Sequence, residues 1–504
     1  MEDETRTNRF SGIYDTRRRS GRKRVAIIGG GVTGLAAAQH IQKLAPEIGV
    51  RLLESGSRLG GVIQTVRKDG FLIEGAADNF ITTSPSAIEL CRDVGLGDEL
   101  IGTNQGHRGA MVLSRGRLEP IPSGFMVMAP SRIWPLLATR ILSPLGKLRS
   151  GAEVLIPPRR RGDDESLKSF VCRRFGKEMF ERLVQPLVGG IYTADPNRLS
   201  VAATMPRFLE MERRHGSLIR GMLHQRRSRS KAVETSGGAR YSQFMTLHGG
   251  MSRLIDALAE SLPEDAIELD SPVSEVVPNG VNWSIRAGGS GGGWDDVDAV
   301  IVAAPAAAAS QMLATVDAPM SEESGEIEYA SYAVVSLAYR RDRIKHPLQS
   351  FGFVVPSVED HFILSCSFSS VKYDGRAPEG TVLMRVFIGG ACQSGLLRMP
   401  DHELSELAHW ELTKLLDIQG DPLMRCVKRQ MHAMPQYHVG HNERVRRIHD
   451  RLAAFPTLAV AGSAFGGVGV PSCIESGQRA AERTIAGLRD DSGIWKSEPV
   501  EALV

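Results

Sequence analysis

The sequence predicts an α/β protein: a Rossmann-type domain assembled from discontinuous segments, with an α+β domain and a mostly helical insertion beside it. Three observations carry this expectation. "RVAIIGGGVTGLAAAQHIQKLA" (Arg24–Ala45) reads as a strand, a glycine turn and a helix. A second glycine loop, "GSAFGGVGVPS" (Gly462–Ser472), stands near the other end of the chain, just before helical composition. Between them, "DAVIVAAP" (Asp298–Pro305) is apolar at every position after Asp298, as suits a strand in the middle of a parallel sheet.

The elements follow in order. Arg24–Gly30 is a β-branched run, Thr33–Ala45 has helical composition and stops before Pro46, and "VRLLES" (Val50–Ser55) is a second strand, so a β-α-β unit opens the fold. Ser84 before Pro85 marks another helix start. Residues 125–225 read mostly helical, and "QRRSRSKAVETSGGARYS" (Gln225–Ser242) reads as a polar connection. "GGMSRLIDALAESL" is helical, "AIELDSPVSEVV" is strand-like, and "AGGSGGG" (Ala287–Gly293) is a turn. From 330 to 435 four strand-like runs precede the helix "HELSELAHWELTKLL", which suggests an antiparallel sheet. Near the C-terminus, Ser472-Cys473-Ile474-Glu475 has the S-x-x-E pattern of a capping box, placing a helix start at Cys473.

Composition narrows the function classes. A net charge of +3 over 504 residues argues against nucleic acid as the main partner. The six cysteines are scattered without a C-x-x-C pair, and the thirteen histidines form no H-x-x-x-H spacing, so neither a disulfide framework nor a metal site is expected. No apolar run is long enough to span a bilayer. The Arg-rich residues 1–23 read as a solvated basic tail in preference to a twin-arginine signal, because the apolar run behind them is explained by the strand, turn and helix.

Chemistry enters at Gly29-Gly30-Gly31-Val32-Thr33-Gly34, a G-x-G-x-x-G between strand and helix. The first glycine allows the tight turn, the second admits a pyrophosphate to the backbone, and the third lets helix pack on strand. Glu54, twenty residues past Gly34, is placed to bind a ribose hydroxyl, which favours FAD or NAD over NADP. Four residues on comes "RLGGV", with Arg58, Gly60, Gly61 and Val62, and then "EGAADNF" (Glu74–Phe80). Here the chain resembles the FAD-dependent amine oxidase superfamily, in which R-x-G-G follows the ribose acid; NAD dehydrogenases have no counterpart. "LVGGIYTADPNRLSVAA", "GFVVPSVED", "MPQYHVGH" and "AFGGVGVPSCIESGQRAAE" narrow the resemblance to the protoporphyrinogen oxidase and coproporphyrinogen III oxidase family, over residues 24–488.

That resemblance implies a flavoenzyme of haem biosynthesis, oxidising a porphyrinogen to a porphyrin, with protoporphyrinogen IX as substrate and coproporphyrinogen III as the alternative. FAD would be bound without a covalent link, and oxygen would leave as hydrogen peroxide. No separate catalytic residue is identified, because the cofactor carries the chemistry. Carried over position by position, FAD contacts fall on Gly29 to Gly34, Glu54, Ser55, Arg58, Gly60, Gly61, Val62, Ala76, Ala77, Asp78, Asn79, Val273, Ser463, Val468, Gly469 and Val470. Substrate contacts fall on Gly190, Val354 and Phe387. Two departures bear on the substrate: Ala110 stands where many plant members hold a propionate with arginine, Arg108 lying two residues away, and Ser367 replaces an apolar ring contact.

The implied layout is a basic tail (1–23), FAD-binding segments at 24–105, 245–310 and 441–490, and a tail (491–504). The substrate domain takes 106–244, which includes the helical membrane-associating insertion, and 311–440. "SRIWPLLATRILSPLGKLR" (Ser131–Arg149) suits an interfacial helix or packing in the core, and Arg207, Arg213, Arg214 and Arg220 suit a solvated or lipid-facing surface in preference to propionates. Expected partners are the porphyrinogen and molecular oxygen, a membrane surface, a second copy in a homodimer and a ferrochelatase receiving the product. The expected location is the cytoplasm, with peripheral attachment to the inner face of the membrane. Rivals are a flavin amine oxidase, for which the C-terminal loop offers only Phe465 as an aromatic wall, a carotenoid-type desaturase, and a flavin-binding protein without turnover.

Overall fold

The computed structural model describes residues 21–490 apart from 108, 131–132, 160–163, 233–242 and 289–291. The tails up to residue 20 and from 491, Arg108, most of the polar connection and the centre of the 287–293 turn lie outside the described residues.

In chain order, the first half supplies β1 (Arg24–Ile28), α1 (Val32–Leu44), β2 (Gly49–Leu53), β3 (Met111–Ser114), β4 (Arg117–Pro120) and α2 (Gln185–Tyr192). The second half supplies β5 (Ile267–Glu268), β6 (Ala299–Val302), β7 (Tyr329–Arg340), β8 (Gly352–Val354), β9 (Ser365–Phe368), β10 (Thr381–Gly389), α3 (Asp401–Leu416), β11 (Met424–Pro435), β12 (Leu458–Val460) and α4 (Val470–Arg489).

The first sheet has the order β5-β2-β1-β6-β12 and is parallel throughout. Its centre is the apolar pair β1 and β6, in register from Val25 opposite Ala299 to Ile28 opposite Val302. All four β6 residues are fully buried, as expected for a strand covered on both faces. On one face α1 and α4 lie together. The alanines 36, 37 and 38 of α1 and Ala480 and Ala481 of α4 keep both helix surfaces shallow, and both belong to one buried cluster. Gly477 takes this to the limit, since a Cβ there would lie 2.2 Å from the Thr33 carbonyl oxygen.

The second sheet has the order β11-β7-β10-β9-β8-β3-β4. It is antiparallel except where β8 runs parallel to β3, so the expected purely antiparallel sheet is mixed: β3 enters from the N-terminal part of the chain. Alternation divides its faces. Ala333, Val335, Leu337, Phe353, Cys366, Met384, Val386 and Ile388 pack against Leu404, Ala408, Leu412 and Leu416 of α3. The residues between them, Val334, Val354, Ser365, Ser367, Arg385 and Phe387, fall on the opposite face.

Of the stretch 125–225 expected to be mostly helical, Phe125–Met126 and Ala129–Pro130 instead pair as two short antiparallel strands, and the described residues beyond them are mostly helical around a core of Phe170, Phe175, Phe180, Leu183 and Phe208. Arg174, fully buried, pairs with Glu153 and also donates to the carbonyls of Ile156 and Gly216.

Four local expectations need correction. α4 begins at Val470, with Gly469 as its cap and no side-chain capping bond, three residues before the expected start. Pro471 lies in its first turn, where a missing N–H costs no helical hydrogen bond, so the helix runs through the proline. Glu475 accepts from Ser84 instead of closing a capping box. The helix near Ser84 starts at Ser86 with Pro85 as its cap. The segment 131–149 forms two short helices, Ile133–Ala138 and Pro144–Gly151, the second capped by Ser143. A helix, Leu218–Ala232, extends into the first part of the expected polar connection.

The α1–α4 contact has a direct consequence. Gly477→Ala forces backbone apart where no flexible side chain can yield, and should cost about 1–3 kcal/mol in the typical range for overpacking. We expect a lower midpoint in urea unfolding; an unchanged midpoint would show that the helices do not depend on this approach.

Candidate functional site

The site is built where the N-terminal turn, the R-x-G-G loop and the C-terminal loop meet. After β1 the chain turns at Gly29, whose φ of +113° suits glycine, and a Cβ there would sit 2.6 Å from the Ala303 carbonyl oxygen. At Gly34 a Cβ would lie 2.0 Å from the Gly29 carbonyl oxygen, so α1 folds back onto the turn only because the residue has no side chain. Around Gly31 there is open space, and the first-turn N–H groups of α1, Val32 and Thr33 included, have no partner within the helix. The expected helix start at Thr33 moves one residue earlier, to Val32.

Glu54 follows β2 and accepts from two backbone donors, Gly30 N–H and Gly56 N–H, each at 2.7 Å. Its neighbour Ser55 adds a hydroxyl at 3.3 Å. The Glu54 carbonyl accepts from Ser271, which brings Val273, the first residue of a strand, to the same side. The R-x-G-G loop is bonded to the first turn: Gly60 donates to the Gly30 carbonyl at 2.8 Å and forms a bridge with Gly31. Gly60 and Gly61 both have positive φ. Arg58 donates to the carbonyls of Leu59, Gly61 and Ile63, so its guanidinium shapes its own loop, while Val62 is exposed.

From the C-terminal side, Ser463 opens a single helical turn, and Val468, Gly469 and Val470 lead into α4. Gly466 has no room for a side chain against Ser476, and Gly467 has φ of +116°. Tyr437 fixes this loop by donating to the Ser463 carbonyl, and its ring stacks on His441 at 4.1 Å. That gives the "MPQYHVGH" segment a structural role as a brace. Burial pushes His441 down to about 4, so the stack is between uncharged rings near neutrality. Cys473 donates its thiol to the Gly467 carbonyl at 3.4 Å, and burial pushes it up to about 11. A buried, protonated thiol holding a loop is a poor nucleophile.

The substrate candidates converge as well. A Cβ on Gly190 would be 3.7 Å from Val354 Cγ1 and 3.9 Å from Ser365 Oγ. Val354 pairs with Ser365, and Ser365 with Phe387, so the three predicted residues share one patch of the second sheet. Gly190 lies within α2 and does not serve a tight turn; Thr193 takes the left-handed position instead, at φ 47°. A π-helical turn, Phe180–Val184, precedes α2 and resets its direction toward this patch. Ser367 lies in the next row, paired with Arg385. Ala110 precedes β3 and accepts from Ile121 through its carbonyl.

The segment after Glu74 joins the two regions. Gly75 is held by Gln64 and Gln430, the Ala76 carbonyl accepts from Arg385, and Ala77 is half-buried beside them. Asp78 accepts from Asn79 and pairs with both Lys372 and Arg385. Burial pushes the Asp78 carboxyl up, but the two cations outweigh it and hold it below the usual carboxylate range. Lys372 and Arg385 are absent from the sequence-derived candidates. One signal was available: Arg385 is the lone charge in the apolar run "TVLMRVFIGG".

These features suit a flavin dinucleotide. Three backbone loops approach one another through glycines whose conformations or neighbours exclude a side chain, and a carboxylate stands at the end of the second strand. Gly29 to Gly34, Gly60, Gly61, Glu54 and the Ser463–Val470 loop would hold it.

A family model described as flavin containing amine oxidoreductase matches residues 32–485. The chain is 34% identical to the coproporphyrinogen III oxidase of Bacillus subtilis (strain 168), over 93% of this chain and 99% of that protein. It is 28% identical to the chloroplastic/mitochondrial protoporphyrinogen oxidase 2 of Arabidopsis thaliana, over 93% of this chain and 95% of that one. A solved structure from Exiguobacterium sp. 255-15, provisionally named a protoporphyrinogen oxidase, superposes with a TM-score of 0.80 at 29% identity, covering 93% of this chain and 99% of the other.

The Glu54 geometry yields a measurable expectation. Glu54→Gln keeps one acceptor for the two backbone donors and loses the charge, so the purified protein should hold FAD about tenfold more weakly, equivalent to about 1.4 kcal/mol. The flavin-to-protein absorbance ratio after dialysis reads this; a variant as yellow as the parent would remove Glu54 from the site.

Proposed function

The chain belongs to the flavin-containing amine oxidoreductase family, and on that footing we propose that it is an FAD-dependent oxidase converting a porphyrinogen to a porphyrin in haem biosynthesis. The observation that carries this reading is the meeting of Gly190, Val354 and Phe387 on one sheet face, next to the segment Ala76–Asn79. End-to-end similarity to oxidases named for coproporphyrinogen III and for protoporphyrinogen supports the same substrate class.

Held by the glycine loops and Glu54, FAD would supply a hydride acceptor for a C–H of the macrocycle, with molecular oxygen as the final acceptor, leaving as hydrogen peroxide. The chain's own residues bind and orient. Val354 and Phe387 offer apolar surface to a ring system, with Gly190 beside Val354. The Glu54 carboxylate and the first turn of α1 would hold the two ends of the dinucleotide's ribose–pyrophosphate unit. Tyr437 braces the C-terminal loop by donating to the Ser463 carbonyl. The proposal further takes the resemblance's homodimer and its transfer of product to a ferrochelatase.

Peripheral attachment to a membrane is also part of the proposal. No helix among the described residues is long and apolar enough to cross a bilayer. The helical stretch does, however, expose Trp134 at 81%, Leu145 at 78%, Leu148 at 72% and Leu155 at 79%. Apolar side chains this open, among basic residues such as Lys147 and Arg140, match a surface that dips into a lipid headgroup layer.

Anaerobic addition of coproporphyrinogen III or protoporphyrinogen IX should bleach the flavin of the purified protein, and air should then restore colour with porphyrin fluorescence. Bleaching by amines alone would sink the porphyrinogen reading in favour of an amine oxidase. Acid precipitation should leave a white pellet and a yellow supernatant, in keeping with the protonated Cys473 thiol; a yellow pellet would mean a covalent flavin. For the membrane surface, replacing Trp134, Leu145 and Leu148 together by serine should abolish co-flotation with anionic vesicles that the parent protein shows. Equal flotation of both proteins, or of neither, would discard this patch as the contact.

A further inference from the structure

The junction between the Glu74–Asn79 segment and the second sheet holds charges that hydride transfer does not use. Lys372 Nζ and an Arg385 guanidinium nitrogen both approach the same Asp78 oxygen, Oδ2, at 3.3 and 3.2 Å. The other carboxylate oxygen takes the Asn79 amide. Arg385 is 1% exposed, spends one nitrogen on the Ala76 carbonyl, and leaves its buried Nε–H without an acceptor. Two cations therefore share one carboxylate.

The surrounding layer does not make up the difference. Arg376 is tied to the carbonyls of Leu247 and His248, and Glu74 accepts from Met251 N–H and the Thr65 hydroxyl. Including both gives three cations to two carboxylates. Burial pushes Glu74 up, weakening it as an anion, and pushes Lys372 down, so that a second carboxylate would be needed to hold the ammonium fully charged. Lys372 lies 5.7 Å from the Phe244 ring centroid and 5.2 Å from that of Tyr373. Such contacts offset only a small part of what an uncompensated buried charge costs. A buried excess of one positive charge is a site that an anion completes.

The anion's direction follows from the sheet. The Arg385 guanidinium lies 5.2 Å from the Phe387 ring centroid on the same face, with Ser367 beside it in register. This is the face that carries Val354 and approaches Gly190. Building on the porphyrinogen oxidase reading, we propose that Lys372 and Arg385, held by Asp78, bind an ionised carboxylate on the inward edge of the macrocycle. They thereby select coproporphyrinogen III over protoporphyrinogen IX. The two substrates differ in whether two side chains are propionates or vinyls, so a cation at the inner end gains a partner only from the first. Ser367, where an apolar ring contact is usual in the resemblance, keeps this row polar. An anionic group of the bound dinucleotide is the other source of the same chemistry, and the test separates the two.

The test compares holoenzymes of the parent, Lys372→Met, Lys372→Arg and Ser367→Asp. Three quantities are read: kcat/KM on each porphyrinogen, binding of coproporphyrin III and protoporphyrin IX by absorbance titration, and the flavin-to-protein ratio. Lys372→Met should lower the coproporphyrinogen-to-protoporphyrinogen ratio of kcat/KM at least tenfold, chiefly through KM, with parallel weakening of coproporphyrin III binding. Lys372→Arg should restore most of that ratio. Ser367→Asp adds a carboxylate beside Arg385 without removing either cation, so it should depress the ratio in the same sense even if Lys372→Met fails to fold. Unchanged ratios in folded variants overturn the assignment, and loss of flavin with the ratio retained assigns the anion to the cofactor. A parent that oxidises neither porphyrinogen overturns the functional reading itself and this assignment with it.

Discussion

Everything in this structure depends on backbone meeting backbone where a Cβ would intervene. Gly34 sits against the Gly29 carbonyl, and Gly477 against the Thr33 carbonyl. The first contact folds α1 back over its own turn; the second lays α4 on α1. Together they bring residues more than four hundred positions apart into one layer over the parallel sheet. Closing so long a loop costs little more than closing a short one, because the entropy grows only with the logarithm of length. The cost is met by the apolar interior that the two helices share with Leu35, Ile41, Ile474 and Ile485.

From that constraint the rest follows in sequence. With α1 and α4 fixed, the turn at Gly29, the R-x-G-G loop and the Ser463–Val470 loop have no choice but to face one another. Gly60 then reaches the Gly30 carbonyl, and Tyr437 reaches the Ser463 carbonyl from the side of the second sheet. That sheet has two unlike faces. One is filled by α3. The other keeps Ser336, Ser365, Ser367 and Arg385 among its apolar residues; α2 covers part of it at Gly190, and Arg385 turns to Asp78 and the Ala76 carbonyl.

The sequence made some of this legible and hid the rest for physical reasons. Gly29 to Gly34 and Glu54 were readable because each residue type answers a local demand: a positive φ, a missing Cβ, an acceptor after a strand. Arg58 was readable as part of a loop, but its three bonds to carbonyls of that same loop could not be assigned to it rather than to a phosphate. The S-x-x-E pattern at Ser472 misled because Pro471 is equally at home one turn further inside, and tertiary contact with Ser84 claimed Glu475. In 131–149 the hydropathy was right and the continuity wrong, since Ser143-Pro144 starts a helix of its own. The pairing of Gly190 with Val354 and Ser365 needed the sheet register, which no local pattern encodes.

The Asp78 cluster is the extreme of this last kind. Its members come from a loop after β-strand Phe71–Glu74, from a short helix at 369–372 and from β10, so no window of sequence contains two of its three charges except across thirteen residues. Each looks ordinary alone. Lys372 reads as a surface lysine at a helix end, and Asp78 as one acid in "EGAADNF". Only Arg385 is out of place, because a strand apolar on both sides cannot carry a guanidinium outward to water. A buried arginine without enough carboxylate around it is unstable as an isolated arrangement. Its retention between the segment that approaches the dinucleotide site and the sheet face that carries Val354 and Phe387 is therefore an argument about occupancy. The charge belongs to a complex, and the free protein holds it in readiness by sharing a single carboxylate between two cations.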